Sequence, residues 1–196
     1  MKKIYIVLFV IFISFFLIFN YKNLKLGNTI IKVDKEKVIE NILNGRFKYE
    51  AKIKVYSNKN ENEYRLRITE DGKNCLIEAV GENSISGLRI QKKNGDLTIK
   101  NTKLKLDKIY ENYREVTDNS LFLSTFKKEY EETDKIREEE NDNNIVIRIT
   151  LKNETRYIKY KELYISKTTG IPVKMIIKDS SKQPKIIIEY TSIETL

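Results

Sequence analysis

In FKYEAKIKVYS, apolar Phe47, Tyr49, Ala51, Ile53 and Val55 stand at every second position with charged residues between them. A period of two puts one row of side chains on a covered face and the other in water. The segment therefore reads as a strand of a half-buried antiparallel sheet. In YRLRITEDGKNCLIEAV, a two-residue turn at Asp71-Gly72 has the residue types that tolerate positive φ. It would set Tyr64, Leu66 and Ile68 opposite Ala79, Ile77 and Cys75, all on one face. In LRIQKKNGDLTIKN, a turn at Asn94-Gly95 sets Ile90 opposite Ile99, with Leu88 and Leu97 on the same side. Four more strands are predicted at IVIRITL (145–151), YKELYIS (160–166), IPVKMIIKD (171–179) and PKIIIEYTSIE (184–194). Thr168-Thr169-Gly170 and Ser180 to Gln183 are the turns between the last three. Pro172 lacks an N–H, so it belongs at a strand start, an edge or a bulge.

The period changes to that of a helix twice. In VDKEKVIENILNG, Val38, Ile39, Ile42 and Leu43 form one stripe. Asp34 is the expected cap, Val33 and Val38 are spaced for a hydrophobic staple, and Asn44-Gly45 is the stop. In DNSLFLSTFKKEYEE, the apolar residues are Leu121, Phe122, Leu123, Phe126 and Tyr130, with Asn119 or Ser120 as cap. KIREEENDNN then reads as a solvated acidic loop. The sum is an α+β domain over residues 33–196: a curved antiparallel sheet, a half-barrel of about nine to ten strands, wrapped on two helices.

Ahead of it, Ile4 to Phe19 is apolar except for Ser14 and is preceded by Lys2 and Lys3. As a helix it would be about 24 Å long at ~1.5 Å per residue, just short of a full span, with Lys3, Asn20 and Tyr21 at the headgroups. Residues 1–21 read as an uncleaved membrane anchor whose apolar face includes Ile4, Phe9, Phe12, Phe16 and Phe19, and residues 22–32 as a linker. A cleaved secretory signal is the alternative, but large residues, Leu17 to Tyr21, stand where a small-x-small cleavage site would fall. The leading lysines favour a cytoplasmic N-terminus, with the domain outside the cytoplasmic membrane.

Composition narrows the chemistry. The chain has no histidine and one cysteine, so Ser-His and Cys-His nucleophiles, a Cys₄ or His-bearing zinc site and an internal disulfide are excluded. Cys75 reads as a small buried apolar residue. There is no P-loop and no dinucleotide fingerprint. Ser124 and Lys128 are one turn apart, a spacing that a plain surface pair also produces. Glu138, Glu139, Glu140 and Asp142 cluster, but in a stretch that offers nothing to raise a pKa; solvated carboxylates, or at most weak calcium binding, are expected. No enzyme activity and no cofactor is predicted. Net charge is +9, yet four of the bases, Lys2, Lys3, Lys22 and Lys25, lie within residues 1–25, which hold no acid. The remaining excess is interleaved along the strands, which does not suit nucleic acid; weak attraction to anionic lipid or wall polymer is compatible with it. Tyrosine is the main aromatic of the domain. Tyr49, Tyr64 and Tyr190 are in phase with apolar neighbours, whereas Tyr110 and Tyr113 lie near element ends and are candidate contacts.

YEAKIKVYSNK, LFLSTFKKEYEE and the closing LYISKTTGIPVKMIIKDSSKQPKIIIEYTSIE together resemble the LolA/LolB-like superfamily of lipoprotein carriers. Within it the chain is most similar to spore-germination proteins of the GerS type. That resemblance implies a non-enzymatic, membrane-tethered domain associated with an exported cell-wall amidase such as CwlD. The chain departs from the type in lacking a lipobox cysteine; Ile4 to Phe19 would replace the lipid as tether. Two functions follow. A partner protein would use an exposed strand edge or a tyrosine-bearing face, with a homodimer by strand pairing as a further outcome. A carrier or sensor would hold a lipid acyl chain between sheet and helices. Leu121, Phe122, Phe126, Tyr130, Tyr110 and Tyr113 are the candidate cavity or contact residues.

Overall fold

The computed structural model describes residues 35–196 apart from 58–59, 72–73, 82–84, 112–120, 153–154 and 156–157. The anchor, the linker, the Val33 staple, the caps expected at Asp34, Asn119 and Ser120, and Tyr113 lie outside the described residues.

Among the described residues, eleven strands form one open antiparallel sheet. They are β1 (Phe47–Tyr56), β2 (Glu61–Glu70), β3 (Cys75–Ala79), β4 (Leu88–Lys93), β5 (Asp96–Asn101), β6 (Leu106–Tyr110), β7 (Ile136–Glu140), β8 (Asn144–Thr150), β9 (Tyr160–Ser166), β10 (Pro172–Lys178) and β11 (Pro184–Thr195). The spatial order β6-β5-β4-β3-β2-β1-β11-β10-β9-β8-β7 is two meanders joined at the centre by β1 and β11. β6 and β7 follow one another in sequence but form opposite edges. The chain between them must therefore cross the sheet, and it does so through α2 (Leu123–Glu132); α1 (Lys35–Asn44) precedes β1.

The two helices cover one side. Val38, Ile39 and Ile42 of α1 and Leu123 and Phe126 of α2 join a single core with Tyr49, Ile53, Ile68, Ile147, Leu163, Ile165, Met175, Ile177 and Ile188 from the sheet. Most of these strand residues are completely enclosed. At about 25 cal/mol per Å² of apolar surface removed from water, this face is the main source of stability.

The Asn94-Gly95 turn is as the sequence predicts: Ile90 pairs with Ile99 and Lys93 with Asp96. Both turn residues have positive φ, 55° and 92°. Pro172 opens β10 beside a bulge. Elsewhere the structure corrects the sequence reading. β3 is displaced by two residues from the expected register, with Ile68 opposite Ile77 and Glu70 opposite Cys75. A four-residue connection closes this hairpin instead of a two-residue turn, and the Asp71 carboxylate accepts the Asn74 N–H at 2.9 Å within it. A shift of two leaves every side chain on its predicted face. The expected acidic loop is strand β7. Gly45 stops α1 without left-handed geometry; a Cβ added there would overlap the far end of the Phe47 ring. The two strands beyond the predicted nine, β6 and β7, are the two edges.

Candidate functional site

A carboxylate sits where the apolar row of β2 reaches the helix layer. Glu70 follows Leu66 and Ile68 on the covered face and is 3 % exposed. α2 begins with Phe122 as its N-cap, which offers no side-chain oxygen to the first-turn N–H groups. Glu70 does this from the sheet: Oε1 accepts the Leu123 N–H and Oε2 the Ser124 N–H, both at 3.0 Å. The charge also opposes the positive end of the helix dipole. The Tyr49 hydroxyl donates to Oε1 of Glu70 at 2.5 Å, and lies 3.2 Å from the Leu121 carbonyl oxygen. Tyr190 meets the Tyr49 ring edge-on, with centroids 5.4 Å apart. Burial first, and the Glu70 carboxylate second, push both phenols well above their ordinary value. These are the signatures of a fixed structural clasp between β1, β2 and α2. A general acid or base would need its proton near neutral pH and a substrate within reach.

A second enclosed charge lies on β9. Lys161, in phase with Leu163 and Ile165, is 0 % exposed, and its Nζ is 2.6 Å from Oε2 of Glu129 on α2. Both ends of α2 are thus tied to the sheet by charged groups.

The outer side of the sheet carries cross-strand ion pairs. Lys52 meets Glu63 at 3.0 Å, Arg67 meets Glu50 at 2.5 Å and Lys54 meets Glu61 at 3.5 Å. In the other meander, Oε1 of Glu162 accepts from Lys178 at 2.6 Å and Arg148 at 3.3 Å, while Tyr164 donates to Oε2 at 3.0 Å. Burial alone would raise the Glu162 carboxyl; the hydrogen bonds from Lys178 and Tyr164 and the Arg148 charge outweigh it and hold it below its ordinary value. The exposed pairs of β1 and β2 add little stability each, but they keep the outer face wet and even in charge.

The candidate residues scatter among these settings. Phe122 and Phe126 are core. Leu121 is half-buried and receives Tyr49 through its carbonyl. Tyr130 is half-buried and donates to Glu138 at 3.0 Å. Tyr110 is exposed on β6. The acidic cluster is engaged: Glu139 with Arg148 and Arg137, Glu140 with Lys167. Cys75 is buried, and burial raises its thiol. No group of three or more metal-ligating side chains occurs among the described residues. Nor is any helix there long and apolar enough to cross a membrane. A cleft of about 460 Å³ opens beside the clasp, lined by Leu43, Arg46, Phe47, Asn74 and Lys127 among others. Sequence reasoning passed over Glu70 and Lys161. Each is a charged residue at a core-facing position of a period-two strand, and that is the signal by which it can be found.

No family model and no curated protein matches the chain. Solved structures do. The GerS lipoprotein, in the structure of the CwlD amidase from Clostridioides difficile in complex with GerS, aligns over 82 % of this chain and 95 % of that one, at 22 % identity and a TM-score of 0.52. The fold is similar to that of GerS. An uncharacterised conserved protein from Thermus thermophilus aligns over 82 % of this chain and 85 % of its own, at 11 % identity and a TM-score of 0.50. The LolA superfamily protein NE2245 from Nitrosomonas europaea aligns over 83 % and 93 %, at 13 % identity and a TM-score of 0.39. At these identities the likeness to GerS and to the Thermus protein is one of fold.

Proposed function

We propose that the protein is a non-enzymatic binding protein, tethered through residues 1–21 on the outer side of the cytoplasmic membrane, that partners and activates an exported cell-wall amidase in sporulation and germination. The observation that carries this reading is how the interior is used. Glu70, Tyr49 and Lys161, the buried polar groups against α2, are committed to holding the helix on the sheet. Phe122, Leu123 and Phe126 fill the space between helix and strands. An acyl chain between these elements would have to displace them, which disfavours the carrier alternative. The surface is what remains for function, and GerS, with the same fold, was captured with an amidase bound.

The test is reconstitution of the full chain with a cell-wall amidase exported by the same organism. Co-elution in fixed stoichiometry and a rise in amidase activity on peptidoglycan are expected. Separate elution with unchanged activity, together with acyl lipid in mass spectra of the purified protein, would replace the reading with the carrier.

A further inference from the structure

The β5–β6 hairpin departs from the rest of the sheet in its exposed apolar side chains. All five residues of β6 are exposed. Four of the eight exposed large hydrophobics among the described residues lie on this one hairpin: Leu104 at 75 %, Ile109 at 64 %, and Leu106 and Tyr110. Leu104 stands in the turn between Lys103 and Lys105, and the turn is held by the Asn101 side chain, which accepts the N–H groups of Lys103 and Leu104 at 3.0 Å. Lys105 takes the left-handed conformation, φ 51°. The tip is therefore a tight, shaped structure.

The apolar side chains point in more than one direction. Leu106 and Tyr110 pair with Asn101 and Leu97, on the helix-facing side, whereas Ile109 pairs with Thr98 on the outer side. The tip cations differ from the ion-paired cations of the central strands. Lys52, Lys54, Arg67 and Arg89 each face an acid on a neighbouring strand. Lys103, Lys105 and Lys108 have no acidic partner among the described residues; on the hairpin only Lys100 does, with Asp107 at 2.9 Å.

We propose that this hairpin docks on an anionic lipid surface, with Leu104 entering the interface and Lys103, Lys105 and Lys108 on the headgroups. A protein partner laid against one side of β6 would cover Leu106 and Tyr110 or Ile109, but not both. At the tip itself Leu104 is 75 % exposed between Lys103 and Lys105, with Leu106 next to it, which suits a bilayer interface, while Ile109 and Tyr110 lie at the other end of β6 and stay outside it. Charge complementarity selects an anionic surface, and the apolar tip selects lipid over an anionic wall polymer, which offers nowhere to bury a leucine. The free backbone edge of β6 limits the depth: its N–H and C=O groups need the water and headgroups of the interfacial zone. The inference does not rest on the amidase partnership.

The test uses the full chain carrying Cys75→Ala and Leu104→Cys, labelled at position 104 with an environment-sensitive fluorophore. It is reconstituted in vesicles of phosphatidylcholine alone or mixed with phosphatidylglycerol. In the anionic mixture the emission should move to the blue and be quenched by brominated acyl chains. Raising the salt should reverse this without any substitution. Changing Lys103, Lys105 and Lys108 to Ala should weaken the attachment about fivefold per lysine. A label that stays in water in the anionic vesicles overturns the proposal. So does a shift seen in lipid-free detergent that grows with protein concentration, which would mark pairing with a second copy. A shift produced by soluble anionic wall polymer alone also overturns it.

Discussion

Two regions invert the rule that apolar side chains go inside and charges outside, and they do so differently. At the start of α2 a carboxylate is buried, with hydrogen bonds from the Tyr49 hydroxyl and from the Leu123 and Ser124 N–H groups. At the β5–β6 hairpin, two leucines and an isoleucine stand in water beside lysines without acidic partners among the described residues. The first inversion is compensated within the molecule. Desolvation of Glu70 is offset by oriented donors and a helix terminus, so it serves the fold. The second has no compensation within the described residues, and exposed apolar surface beside like charges adds nothing to folding. A departure from the burial rule thus has to be judged by its partners: satisfied, it is structural; unsatisfied, it points outside the molecule.

Substitutions can break that contrast or sharpen it. The largest effect is expected for Glu70→Ala, which leaves the Tyr49 hydroxyl and the two first-turn N–H groups without their acceptor. A loss of about 4 kcal/mol by urea denaturation is expected, with Glu70→Gln milder. A loss below about 1 kcal/mol would mean the clasp is dispensable. Gly45→Ala drives a methyl group into the Phe47 ring and should cost about 2 kcal/mol; unchanged stability would show that the ring moves freely.

Tyr49→Phe removes one donor to Glu70 and should cost about 1 kcal/mol at neutral pH. It also makes a pH prediction. The Tyr49 phenol is held above its ordinary value in the folded state, while the unfolded chain ionises near pH ~10. The folded state therefore keeps its proton longer. The stabilisation is complete below about pH 10 and is lost as pH rises through the folded value. Alkaline unfolding should begin there in the native chain and be shallower in Tyr49→Phe and Tyr190→Phe. Identical alkaline titrations would remove the phenols from the account.

The smallest effect belongs to the hairpin. Leu104→Ser and Ile109→Thr should change stability by less than about 0.5 kcal/mol. A loss of about 2 kcal/mol from either would place these residues in the fold and remove the contrast between the two regions.

The patterned sequence by itself determined the covered interior of this protein. The nine strands with one buried side announce themselves by period two, and the two helices by their stripes; the Asn94-Gly95 hairpin could be paired residue by residue. Both edge strands escaped, for one physical reason. β6 is exposed on both sides and β7 is mostly polar, so neither carries an alternation to read. The start of α2 escaped for another. A cap is expected from the residue just before the helix, but Glu70, 53 positions from Leu123 along the chain, supplies it. Only the tertiary structure decided that the β6-to-β7 connection spans the sheet, that Glu70 and Lys161 lie against α2, and that Leu104 stands uncovered among lysines. These facts depend on which residues meet across long stretches of chain, and local periodicity does not record them.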